Sequence, residues 1–129
     1  TTTATITLAS SDILSDPISF STTAELTTAG TATGLSNTAG LARKTTGDTS
    51  EYTLLAEADY ADDKAHKVYL KHVGTTDSDR VDVKLASQHV GRLYAGDWMF
   101  IPWSGGSDIK LTPNVSTSVT VEYMVIIAS

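Results

Sequence analysis

Alternation of apolar and polar side chains is the dominant signal along this chain. Ala4, Ile6 and Leu8 share one parity and Thr3, Thr5 and Thr7 the other, which predicts a half-buried strand with a β-branched outer face. Residues 10–17 read as a turn region closing on Asp16-Pro17, and Ile18-Ser19-Phe20 as a short second strand. Between residues 49 and 58 two periods compete, because Glu51, Leu54, Leu55 and Ala58 also fit one helical face. Turn-like flanks favour a strand through Tyr52, Leu54 and Leu55. Val68, Leu70 and His72 alternate with Tyr69, Lys71 and Val73, and Val81, Val83 and Leu85 alternate with Asp82 and Lys84. With residues 74–79 between them, these two segments predict a hairpin.

The stretch 91–103 organises the second half of the chain. Gly96-Asp97 supplies a turn, since glycine tolerates positive φ and aspartate bonds its own backbone nearby. The apolar run from Trp98 through Phe100 to Ile101 then predicts a strand buried on both faces, and Pro102 ends its pairing by removing a donor. By this reading Trp98 belongs to the core, whereas Trp103, at the mouth of a Ser-Gly-Gly loop, is the better contact residue. Ile109 and Leu111 begin a strand stopped by Pro113. Val119, Val121, Tyr123, Val125 and Ile127 form the last strand, whose other parity changes from Thr120 and Glu122 to Met124 and Ile126. It therefore starts half-exposed and ends buried on both sides, as a strand does in mid-sheet or at a subunit contact. Seven or eight such strands predict a single all-β domain over residues 1–129, an antiparallel β-sandwich of jelly-roll type.

Residues 21–47 break the rhythm. They are rich in Thr, Ala and Gly, and only Leu26, Leu35 and Leu41 offer apolar anchors. The segment reads equally as a surface loop or as an extended arm; as an arm, those three leucines would touch another chain, because so sparse a segment gains little by ordering alone.

Composition narrows the function classes. With no cysteine there is no disulfide framework, thiolate nucleophile or thiolate metal site. A net charge of −6 with scattered basic residues disfavours a nucleic-acid surface or an anionic membrane face. No basic, apolar export signal opens the chain, and no apolar run approaches bilayer length. Serine and threonine make up roughly a quarter of the residues, which favours strands and loops over helices.

Candidate chemistry is sparse. His66, His72 and His89 stand singly, so the imidazole convergence of a metal-dependent cupin is missing, although Gly96-Asp97 followed by Ile101-Pro102 is similar to a phrase common in cupins. Glu57, Asp59, Asp62 and Asp63, and again Asp77 and Asp79, are acidic clusters without the spacing of a calcium loop, and read as solvated loops. Nucleophile-elbow, phosphate-loop and dinucleotide motifs are all missing. No catalytic residue, cofactor or metal is therefore expected. Tyr69, Tyr94, Trp98 and Trp103 could in principle stack on sugar rings.

The runs Val68-Tyr69-Leu70-Lys71, Gly91 through Ser104 and Thr120-Val121-Glu122-Tyr123-Met124-Val125 resemble small virion structural proteins of marine tailed phages, cyanophages in particular. The resemblance covers the second half of the chain and implies a non-enzymatic virion component. It further implies a head decoration (cement) protein on the capsid exterior, with the major capsid protein and copies of itself, as a homotrimer, for partners. Under that reading Trp98, Phe100, Trp103 and Tyr123 hold the core or its contacts. The alternative is a tail or fibre module that binds a host glycan through Trp103.

Overall fold

A computed structural model describes residues 1–13, 15–28, 34–114 and 118–128. All regular structure in it is β apart from one turn of 3-10 helix at Glu57–Asp59. Among the described residues, strands β1 (Thr3–Ser10) and β2 (Ile18–Glu25) pair only with each other, as a two-stranded antiparallel ribbon. The remaining strands form two antiparallel sheets. One runs β5 (Tyr52–Leu55), β10 (Ile109–Pro113), β7 (Arg80–Leu85), β8 (Gln88–Tyr94). In the other, β11 (Val119–Ile127) is central. It pairs on one side with β3 (Asn37–Thr38) and β4 (Ala42–Thr46), and on the other with β6 (His66–His72), beyond which lies β9 (Trp98–Trp103).

The sheets close on each other through their inward rows. Leu55, Val81, Val83, Leu93, Ile109 and Leu111 come from one, and Val68, Leu70, Trp103, Val119, Val121 and Val125 from the other. This is the antiparallel β-sandwich that the alternation predicts. Strand β11 lies in mid-sheet, as expected, but its ending is not buried on both sides: Met124 and Ile126 are half-buried on the outer face, like Thr120 and Glu122 before them.

Several local expectations are corrected. Segments β6 and β7 do not form a hairpin: β6 pairs with β11 and β9, whereas β7 pairs with β10 and β8 in the opposite sheet. Both strands carry one apolar row, and that row packs equally well across the sandwich as beside its neighbour. The hairpin that does form is β7–β8, turning at Ala86, whose φ is 55°. Strand β8 has no alternating signature in the sequence because, of its seven residues, only Leu93 is buried.

The two tryptophans exchange the roles expected of them. Trp103 is 2 % exposed and Trp98 55 % exposed. Strand parity decides this: Trp98, Phe100 and Pro102 face outward, Met99, Ile101 and Trp103 inward, so the apolar run is not buried on both faces. Pro102 does not end the strand. It pairs opposite Lys67 in β9, an edge strand, where a missing donor is tolerated.

Trp103 anchors the loop that follows it. Its indole Nε1–H donates to the Ser107 carbonyl at 2.9 Å, and the ring meets Tyr60 edge-on at 5.0 Å between centroids, with His66 at 5.9 Å. Gly105 crosses beneath with φ +84°, where a Cβ would stand 2.4 Å from the Ala61 carbonyl oxygen. Trp103→Ala is expected to cost about 3–5 kcal/mol in urea unfolding, and Trp98→Ala within about 0.5 kcal/mol of zero for the isolated chain. Equal losses at the two positions would contradict this assignment.

Candidate contact surfaces

The outer face of the β9–β6–β11 sheet carries a cluster of aromatic side chains among charged ones. Register places Trp98 beside Lys71, Phe100 beside Tyr69 and Pro102 beside Lys67, and continues across β6 to Glu122, Met124 and Ile126. A groove of about 360 Å³ opens here, lined by Tyr69, Lys71, Trp98 and Phe100 on the sheet side and by Ala4, Thr5 and Ile6 of the ribbon.

Polar groups border this face. Arg43 donates to Glu122 Oε2 at 3.0 Å and the Tyr69 hydroxyl donates to Glu122 Oε1 at 3.1 Å, so that carboxylate is engaged on both sides. Burial, then the bond to Glu122, pushes the Tyr69 phenol up. Lys67 reaches to the carbonyls of Thr27 and Ala65, and desolvation holds its ammonium below the ordinary lysine range. Lys71 has no ion pair among the described residues.

The ribbon is amphipathic. Cross-strand pairs Ala4–Ala24, Ile6–Thr22, Leu8–Phe20 and Ser10–Ile18 share one face; Thr3–Glu25, Thr5–Thr23, Thr7–Ser21 and Ala9–Ser19 share the other. The polar face is tied by hydroxyl bonds, Thr5 to Thr23 at 2.7 Å and Thr7 to Ser21 at 3.2 Å. The apolar face is uncovered: Ile6 is 40 %, Leu8 56 % and Phe20 47 % exposed. The expected first strand thus forms, and β2 runs eight residues where three are expected, but the apolar face is not half-buried: among the described residues nothing covers Leu8 or Phe20.

The leucines expected to touch another chain divide. Leu26 and Leu35 are buried within this chain, joined by a Leu35 N–H to Leu26 carbonyl bond of 2.8 Å, whereas Leu41 is exposed. Residues 21–25 and 42–46 of the anticipated arm are strands. Residues 29–33 of it lie outside the described residues.

A second groove, about 270 Å³, runs along the open edge between β4, β5 and β11, lined among others by Leu54, Tyr60, Tyr123 and Val125. Tyr123 faces inward here, partly buried against the core. The histidines do not converge. His66 and His72 lie at opposite ends of the inward row of β6, with Val68 and Leu70 between them, and His66 Nε2 is bonded to the Ala61 carbonyl; His89 is exposed on β8. Both ring nitrogens of His72 are buried without a hydrogen-bond partner. Among the described residues no group of three or more His, Cys, Asp or Glu side chains could hold a metal ion.

Comparison with protein-family models, with curated proteins and with solved structures finds no match.

Near the second groove, the Tyr52 hydroxyl is buried without a partner, and desolvation, with Tyr123 nearby, pushes its phenol up to about 12. A raised folded-state pKa means that the unfolded chain loses the proton first. The resulting stability is present below pH 10 and is lost as pH rises towards 12. Thermal melts should show Tm falling across that window, and Tyr52→Phe should flatten the fall while leaving Tm at pH 7 equal or higher. An unchanged alkaline slope in Tyr52→Phe would refute this origin.

Proposed function

We propose that this chain is a non-enzymatic structural protein of a tailed-phage particle, a head decoration (cement) protein that binds and stabilises the capsid lattice. The observation that carries the reading is the uncovered apolar face of the ribbon together with the open Trp98 face. A monomer gains nothing from displaying Leu8, Phe20 and Trp98 to water; a subunit that is covered on assembly gains their burial. A two-stranded ribbon is marginal by itself, which suits a segment ordered against a larger surface. The sandwich beneath, free of cysteine, is a rigid base from which such a segment can reach.

The competing reading, a tail module that takes a host glycan on Trp103, meets a specific obstacle. The Trp103 ring is buried and its N–H is spent on Ser107.

Copy number tests the proposal. A protein covering a head lattice occurs at hundreds of copies per particle, a tail component at about a dozen or fewer. Quantitative mass spectrometry of purified particles carrying the chain should give the first figure, with release of the chain lowering the temperature at which heads open. A count near a dozen, or density confined to the tail, would overturn it.

A further inference from the structure

We propose that the β1–β2 ribbon of one copy docks, apolar face down, on the outer β9–β6 face of a second copy. The inference rests on the reading of the chain as an assembling subunit and identifies which surfaces meet.

Three observations lead to it. First, the two surfaces are chemically alike and adjacent. The ribbon offers Ile6, Leu8 and Phe20, the sheet offers Trp98, Phe100 and Tyr69, and the groove between them is open. Only the ribbon base, at Ala4, Thr5 and Ile6, lines its own chain's groove; Leu8, Phe20 and Trp98 stay about half exposed.

Second, the surfaces match in length. Eight residues per strand give a ribbon roughly 26 Å long, and the six residues of β9 beside the seven of β6 give a receiving face roughly 20–23 Å long, so one ribbon spans one Trp98 face. Each copy makes this contact twice, once through its ribbon and once through its sheet.

Third, charge selects the pairing. The first 42 residues contain Asp12, Asp16 and Glu25 and no lysine or arginine. On the receiving face Arg43, Lys67 and Lys71 stand against Glu122 among the described residues; Arg43 pairs with Glu122 and Lys67 is held by the Thr27 and Ala65 carbonyls, which leaves Lys71 as the cation without an ion pair and the face with a net positive charge. Although the whole chain is acidic, this face is locally basic and the ribbon tip is acidic, so ribbon on sheet attracts where ribbon on ribbon repels. Unlike surfaces meeting head to tail generate a ring when the rotation closes.

The absence of cysteine makes the arrangement directly testable. Leu8→Cys and Trp98→Cys are both surface changes that leave the core intact. Mixed in equal amounts under mild oxidation, the two variants should give a disulfide-linked dimer of twice 13.6 kDa, while Leu8→Cys alone should stay uncrosslinked. Light scattering should show the unmodified chain as an oligomer at about 100 μM, with Asp12→Lys/Asp16→Lys raising its dissociation constant about tenfold or more. A monomer at that concentration, with the ribbon open to some other protein, would overturn the proposal. Crosslinking of Leu8→Cys to itself would also overturn it, in favour of ribbon-on-ribbon packing. Either failure is separable from failure of the decoration reading, which is judged by copy number on particles.

Discussion

Closure of two sheets on one shared apolar layer is the constraint from which the rest of this structure follows. Each strand of the sandwich has two rows of side chains, and only one row can face the layer. Once Trp103 is committed inward, where it packs on Tyr60 and His66 and holds the following loop through Ser107, Trp98 is turned outward by parity. The same commitment sends Phe100 and Tyr69 out beside it. The core therefore creates the exposed aromatic face as its geometric complement.

The ribbon stands outside that constraint. Among the described residues it shares no strand pairing with either sheet, its hydroxyl ladder secures one face, and Leu8 and Phe20 on its other face are uncovered. Water disfavours such a surface in isolation, so its presence is most simply understood as half of a contact. The distribution of charge agrees with the proposed docking: Asp12, Asp16 and Glu25 lie on the ribbon and at its tip, whereas lysine and arginine border the Trp98 face.

Much of the sandwich was legible in the sequence because inward rows such as Val81 and Val83, or Val119, Val121 and Val125, alternate without interruption. Partner choice was not. Alternation says that Val68 and Val81 point to a core, and says nothing about whether their strands lie side by side or in opposing layers. Strand β8 escaped because an edge strand buries so little. The sequence suggests the wrong roles for the two tryptophans because a run of four apolar residues hides its parity; the deciding clue is Lys67-Val68-Tyr69-Leu70-Lys71 opposite, where the polar positions mark the outer face. For the contact surface, Ile6, Leu8 and Phe20 were visible as a strand face. Their exposure is a property of topology, which no local pattern records.

The central claim is that the ribbon owes its order to a partner while the sandwich owes its order to itself. Hydrogen exchange resolved by peptide, at a dilution where the chain is monomeric and again in the assembled state, tests it most directly. Residues 3–10 and 18–25 are expected to exchange freely on dilution and to become protected on assembly, with β6 and β11 protected in both states. A ribbon as protected as β6 in the dilute monomer would contradict it.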